Sequence, residues 1–357
     1  MTTRKVMIMA GGTGGHVFPA LAVAKELQKQ KVEVVWLGTK KGLEARVVRQ
    51  NGVPMRWVSI DGLRGKNKLT LLLAPFKFVG AVWQSFRALL REKPQCVLGM
   101  GGFVSGPGAI AARAMGKKLI IHEQNAVAGL TNKHLAKIAH VVLSGFPNAV
   151  DLPESAQWVG NPVRKTIKPS GRAPKHPLRV LVVGGSQGAY SLNKYLPDLF
   201  AQLQANSKQK VFAIWHQTGR DNSLATKVLY EQNGTKAKVS EFIKDMSKAY
   251  DWADVLVCRA GAMTVAECCA AAKPALFVPY PFSAGEHQDF NAQVLVDAGA
   301  AKVVSNDDLH NGKMLKVLRE MLADPVELAE MGKRAAHLHK VDALPSVVQI
   351  CKDMCDA

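Results

Sequence analysis

The sequence predicts an α/β protein of two parallel-sheet, Rossmann-like domains, and three observations carry that expectation. An apolar run, a glycine-rich turn and an amphipathic helix follow one another from residue 5 onward, the order that opens a βαβ unit. The same opening recurs 173 residues later, where Gly184-Gly185-Ser186 repeats Gly11-Gly12-Thr13 behind another apolar run. Six of the 17 prolines (Pro147, Pro153, Pro162, Pro169, Pro174, Pro177) crowd into the short stretch 147–177 before the second opening, the composition of a linker. With 357 residues, 48% hydrophobic and 21% charged, there is material for two cores.

In chain order, residues 5–10 read as a buried strand and Gly11-Gly12-Thr13-Gly14-Gly15-His16 as its turn. In the helix that follows, Val17, Leu21, Ala24 and Leu27 share a face and Pro19 suits the first turn. Strands are expected at 32–37, 96–100 and 119–122, the last two ending in glycine or polar turns. The boundary is placed near Asn161-Pro162-Val163, giving domains 1–162 and 163–340. The second domain has strands at 178–183, 211–216, 255–258 and 275–278, then a loop from Pro279 to Gly285. Residues 312–340 are helical in composition with a break at Asp324-Pro325. Val347, Ile350, Cys351 and Met354 share one face of a final helix, 341–357, expected to pack back on the first domain.

Charge divides the chain. Residues 1–163 hold 22 Lys/Arg against 8 Asp/Glu, a balance of +14; residues 164–357 hold 25 against 20, a balance of +5. The first half should meet an anionic partner: nucleic acid, anionic lipid or a phosphorylated substrate. Residues 64–93 interleave Leu69, Leu71, Leu72, Leu73, Phe76, Phe78, Val79 and Trp83 with Arg64, Lys66, Lys68, Lys77, Arg87 and Arg91. That pattern fits an interfacial patch facing anionic lipid, or a core-facing helix preceded by an exposed Leu-rich segment. No run of 18 apolar residues and no signal peptide is seen, and the six cysteines contain no C-x-x-C pair. Neither a structural zinc nor a disulfide framework is expected.

Three glycine-rich turns follow strands: 11–15, Gly101-Gly102-Phe103-Val104-Ser105-Gly106-Pro107-Gly108, and 184–188. Glycine lets backbone N–H groups approach a phosphate closely, and at least two of these turns are expected to touch phosphate or sugar. None is a dinucleotide fingerprint: reading from Gly12, the third glycine position is Val17, and the second strand ends without an acidic residue. None is a P-loop, since no Gly-Lys-Ser/Thr follows. A fourth turn, Arg259-Ala260-Gly261-Ala262-Met263-Thr264-Val265-Ala266-Glu267, leads into a helix expected to start near Thr264. A helix start attracts phosphate, Arg259 would add a cation, and Glu267 would accept from a ribose diol. The same residues also fit a capping box, with Thr264 as N-cap and Glu267 three residues on. His16, at a strand end, is a candidate general base, and Glu123 of His122-Glu123-Gln124-Asn125 is an alternative base or the partner of a histidine. His287-Gln288 offers groups suited to sugar hydroxyls.

Taken together, these loops, with Gly160-Asn161-Pro162-Val163-Arg164 and Gly184-Gly185-Ser186-Gln187-Gly188-Ala189, resemble the MurG family, the bacterial N-acetylglucosaminyltransferases that make lipid II. The match runs in order across nearly the whole chain. The resemblance implies a GT-B fold, two Rossmann-like domains facing across a cleft. It implies transfer of N-acetylglucosamine from UDP-N-acetylglucosamine to the muramyl C4 hydroxyl of lipid I with inversion, without metal or other cofactor. It further implies a peripheral place on the cytoplasmic face of the bacterial inner membrane, contact with other cell-wall synthesis proteins, and no nucleic-acid partner. By the same match Ser186 would contact the diphosphate, and Ile243 and Arg164 would hold the nucleotide. Ala262, Met263, Thr264, Val265 and Ala266 would line the site, Glu267 would bind the ribose and Gln288 the sugar. Thr13, Gly14, Gly15 and Asn125 would approach the donor sugar, and His16 would be base or acceptor-site group. Phe103 and His287 depart from the family pattern, where Tyr and Gln are common.

Other readings weigh less. A UDP-N-acetylglucosamine 2-epimerase would share the nucleotide contacts but has no use for a basic apolar patch. A dinucleotide oxidoreductase lacks its fingerprint here, and a basic nucleic-acid module leaves the glycine loops unexplained.

Overall fold

The computed structural model describes residues 4–62, 72–185, 187–205 and 212–357. It divides into two compact units, Met1–Val163 with Lys340–Ala357, and Arg164–His339.

In the first unit, β1 (Lys5–Met9), β2 (Glu33–Gly38), β3 (Met55–Trp57), β4 (Cys96–Gly99), β5 (Lys118–Glu123), β6 (Val141–Ser144) and β7 (Gln157–Trp158) form one sheet. Its order is β3-β2-β1-β4-β5-β6-β7, and every pairing is parallel. Strand β1 shows why. Val6 and Ile8 enter one apolar cluster, Met7 and Met9 the other, and all four are fully buried. Apolar side chains on both faces need helices on both faces, which βαβ crossovers provide. Helices α1 (Gly14–Lys29), α2 (Leu43–Gln50), α3 (Ala74–Glu92), α4 (Ser105–Ala114) and α5 (Leu130–Leu135) alternate with the strands. Helix α1 starts earlier than its proline suggests: Gly14 and Gly15 are already helical, so Pro19 lies inside the helix rather than in its first turn.

The second unit repeats the plan. Strands β8 (Leu178–Val183), β9 (Phe212–Gln217), β10 (Ala237–Ser240), β11 (Val255–Cys258), β12 (Ala275–Phe277) and β13 (Ala301–Val303) are ordered β10-β9-β8-β11-β12-β13, again all parallel. Helices α6 (Tyr190–Ala205), α7 (Ser223–Gln232), α8 (Met246–Trp252), α9 (Ala262–Ala270), α10 (His287–Asp297), α11 (Lys313–Ala323) and α12 (Pro325–His337) cover it. The break at Asp324-Pro325 is a cap. The Asp324 carboxylate accepts from the N–H groups of Val326 (3.0 Å) and Glu327 (2.9 Å), and Pro325 needs no partner at the first helical position. The last helix, α13 (Ala343–Asp356), buries Leu344, Val347, Val348 and Cys351 in the core of the first unit.

In each sheet the chain reverses its direction of growth between two neighbours, β1/β4 and β8/β11. Ligands of open parallel sheets bind outside the carboxyl ends of strands at such switch points. All four turns singled out in the sequence leave those four strands.

Buried polar groups are satisfied locally. His216 is fully buried; Tyr230 Oη lies 2.9 Å from its Nδ1 and Asn193 Oδ1 lies 3.0 Å from its Nε2. Asn193 spends its amide N–H on the Thr218 carbonyl, so His216 Nε2–H donates and Nδ1 accepts from the tyrosine. Burial lowers the His216 pKa from 6.5 to about 3. As pH falls below the unfolded value, the unfolded chain takes up a proton that the folded chain refuses. Stability is therefore lost on acidification, by up to about 1.4 kcal/mol per pH unit until the folded pKa is reached. Urea midpoints at neutral and mildly acidic pH check this: His216→Gln is expected to flatten the dependence.

Helix α3 carries two faces. Ala81, Ser85, Ala88 and Leu89 are buried, while Phe76 (76% exposed), Val79 (68%), Trp83 (57%), Phe86 (37%) and Leu90 (51%) form an outward stripe at helical spacing. Arg87 lies over the Trp83 ring at 4.8 Å, and Glu92 pairs inward with Arg56 and Lys5. Arg64, Lys66, Lys68, Leu69 and Leu71 lie outside the described residues. The six cysteines are free thiols, five of them buried.

Candidate active site

The site of the second unit is built at the start of α9. Strand β11 ends at Cys258, and Gly261, with extended backbone (φ −65°, ψ 142°), is the N-cap. The first intrahelical bond runs from Val265 N–H to the Gly261 carbonyl, 3.0 Å. The N–H groups of Ala262, Met263 and Thr264 thus leave the helix end without intrahelical acceptors and with the positive end of the dipole. The helix begins two residues before the expected start at Thr264. Thr264 is its third residue and Glu267 its sixth, so the capping box does not form. Gly261 caps through its backbone, and Ala262 and Met263 are strong helix formers.

Glu267 sits one turn in, its side chain 14% exposed. Arg164 donates to Oε1 (3.1 Å) and Tyr250 Oη to Oε2 (2.9 Å). Burial raises the Glu267 pKa, and Arg164 and the tyrosine oppose that shift. Arg164 remains half exposed, so the carboxylate reaches solvent beside a cation and a phenol. Met263, Thr264 and Ala266 have partly exposed surface, whereas Val265 is fully buried, Ala262 6% exposed and Ile243 5% exposed. Gln288, at the start of α10, accepts from Tyr280 N–H at 2.9 Å. Ser186 lies outside the described residues.

The guanidinium of Arg259, expected as a cation for phosphate, is engaged by protein groups. Its Nη1 donates to the carbonyls of Val278 and Pro279, each at 2.9 Å, and its Nη2 to Ser191 Oγ (2.7 Å) and Asn306 Oδ1 (3.1 Å). It ties the end of β11 to the segment after β12, to α6 and to the turn after β13. Among the described residues of the turn after β8, Gly184 N–H donates to the Gln217 carbonyl (3.1 Å) and Gly185 N–H to Gln217 Oε1 (3.0 Å).

In the first unit the turns after β1 and β4 pack on each other. Gly102 (φ +84°) lies so close to the Gly11 carbonyl that a Cβ would collide with it, and a Cβ on Gly101 would fall 2.7 Å from the His16 ring. Glycine is required here for close approach. Thr13 is the N-cap of α1, and its Oγ1 lies 3.4 Å from His16 Nδ1. Thr13, Gly14, Gly15 and His16 therefore share one helix start, with His16 held against Gly101.

The strand end 122–125 is more structural than expected. Glu123 is 2% exposed and accepts four N–H bonds, from Asn125 N and Nδ2 (2.9 Å each), Gly129 N (3.1 Å) and Asn132 Nδ2 (2.8 Å). A buried carboxylate so engaged has no lone pair left for a substrate proton, which argues against it as the alternative base. His122 is fully buried, with Nε2 2.9 Å from the Gly160 carbonyl and Nδ1 3.1 Å from Gln124 Nε2; burial lowers its pKa. Asn125 alone keeps surface. Tyr250 and Asn132 were not singled out in the sequence. They lie 17 residues before Glu267 and 9 after Glu123, with no motif to mark them.

Comparison with known proteins agrees with this fold. Residues 6–144 match the glycosyltransferase family 28 N-terminal domain and residues 179–346 the glycosyltransferase family 28 C-terminal domain. A Shewanella oneidensis UDP-N-acetylglucosamine–N-acetylmuramyl-(pentapeptide) pyrophosphoryl-undecaprenol N-acetylglucosamine transferase is 46% identical over 354 residues, 98% of this chain and 97% of that protein. The crystal structure of Acinetobacter baumannii MurG superposes with a TM-score of 0.84 at 40% identity, covering 98% of this chain and 99% of that one. The calicheamicin glycosyltransferase CalG4, at 16% identity, a TM-score of 0.71 and coverage of 100% and 99%, shares the GT-B fold alone. The chain belongs to glycosyltransferase family 28 and, within it, to the MurG family.

Proposed function

We propose that the protein is an inverting hexosyltransferase that moves N-acetylglucosamine from UDP-N-acetylglucosamine to the muramyl C4 hydroxyl of lipid I, giving lipid II. The observation that carries this reading is the start of α9, where open N–H donors stand beside a carboxylate held by Arg164 and Tyr250. The N–H groups of residues 262–264 suit a diphosphate and Glu267 suits the ribose diol. As the glycosidic bond breaks, charge gathers on the leaving UDP, where helix-end dipoles stabilise it without reorganising. In the first unit His16 takes the proton of the C4 hydroxyl as its oxygen attacks the anomeric carbon. Attack opposite the leaving group converts an α donor into a β product.

The protein is incubated with UDP-N-acetylglucosamine and a lipid I analogue, and the new anomeric centre is read by NMR. A β-linked disaccharide is expected. Free epimerised sugar without disaccharide would favour the epimerase reading instead.

The stripe on α3 supports a further part of the reading, a peripheral seat on the cytoplasmic face of the inner membrane. Among the described residues no helix is long and apolar enough to cross a membrane. Aromatic and aliphatic side chains flanked by Lys77, Arg87 and Arg91 suit shallow burial at an anionic surface. Replacing Phe76 and Trp83 by glutamate is expected to weaken sedimentation with anionic vesicles by about 10-fold or more, since each ring buries roughly 2 kcal/mol of apolar surface. Transfer to a water-soluble acceptor should be unchanged.

A further inference from the structure

Glu44, in the first turn of α2, is a carboxylate with no exposed surface. Its Oε1 accepts from Thr39 N–H (3.0 Å) and Thr39 Oγ1 (2.7 Å), and its Oε2 from Gly12 N–H (3.2 Å). Its partners are N–H and O–H dipoles at the start of a helix rather than a cation, a costly arrangement for a buried charge. Glycines crowd it. A Cβ on Gly11 would lie 2.9 Å from Oε1, one on Gly38 3.0 Å from Cγ, and one on Gly42 would collide with the carboxylate. The glycines after β1 and β2 thus leave room for this side chain, besides any ligand.

We infer that Glu44 is a positioning residue for the transfer reaction: its carboxylate fixes the turn that leads from β1 to Thr13 and His16. Gly12 (φ +88°) is the residue at which the chain turns from β1 into α1, and its N–H is held by Glu44 from below. Anchoring Gly12 anchors the N-cap, and through it the imidazole four residues on.

This inference rests on the reading of His16 as base, and the test separates the two. In Glu44→Gln the amide oxygen can keep Thr39 while its NH₂ faces Gly12 N–H, so the contact to the turn is lost. kcat for sugar transfer is expected to fall about 10²-fold, the size of effect that misplacing a reacting group by ~1 Å produces. The dissociation constant for UDP-N-acetylglucosamine, measured by calorimetry, is expected to stay within about twofold. Wild-type kcat in a folded Glu44→Gln, with His16→Ala inactive, would overturn the role of Glu44 alone. Full activity of His16→Ala would overturn the base reading on which it stands. A parallel loss of donor affinity would make Glu44 merely structural. Should Glu44→Gln not fold, Gly11→Ala displaces the carboxylate end by its methyl group. The same selective loss of kcat is expected, and unchanged kcat would contradict the inference.

Discussion

Replacing Glu267 by alanine is expected to weaken UDP-N-acetylglucosamine binding by about 10–100-fold, the equivalent of one hydrogen bond to a charged acceptor. Besides the proposed ribose contact, the Tyr250 hydroxyl and the Arg164 guanidinium lose their acceptor, to which their bonds are 2.9 and 3.1 Å. Glu267→Gln separates charge from shape, since it keeps an acceptor for one partner only. The raised pKa of Glu267 adds a pH signature. The ionised carboxylate is the better acceptor, so donor affinity should fall on acidification, beginning above the ordinary glutamate value of 4.5. The sign for folding is opposite. The unfolded chain releases this proton first as pH rises, so ionisation costs the folded state stability that Glu267→Gln spares. Calorimetric titrations at several pH values check both: the affinity profile of Glu267→Gln should be flat where that of the native protein falls.

His16→Ala is expected to lower kcat by about 10²–10⁴-fold, the usual worth of a general base, while donor affinity stays within about twofold. The contrast with Glu267 follows from their places. His16 rides on α1 against Gly101, and Glu267 on α9 beside Tyr250, in separate units. A rate unchanged by the alanine would remove His16 as base, and Glu123 would not replace it, because its carboxylate already accepts four N–H bonds.

Much of the fold was legible because parallel sheets buried on both faces write continuous apolar runs. Strands β1, β4, β8 and β11 could be read that way, and the glycine turns behind them mark the switch points. The short strands β3, β7 and β13, of two or three residues, carry too little pattern to be read. The site was legible where local chemistry decides and obscure where tertiary contacts do. The turn into α9 was visible, but the helix start was misplaced by two residues because Thr264 and Glu267 imitate a cap that Gly261 supplies. Arg259 carries a charge suited to phosphate; only the fold reveals that two carbonyls, a serine and an asparagine already hold it. Glu44 and Tyr250 have no motif: the turn Glu44 holds at Gly12 is 32 residues away, and the Glu267 that Tyr250 meets is 17 residues away.

The claim that the nucleotide is held at the start of α9 is tested most directly by backbone amide exchange with and without UDP. Protection is expected over residues 261–267 and in α8 around Tyr250. The turn 11–15, whose Gly12 N–H is already held by Glu44, should be unchanged. Protection confined to 11–15, with the start of α9 exchanging as in the free protein, would contradict the account.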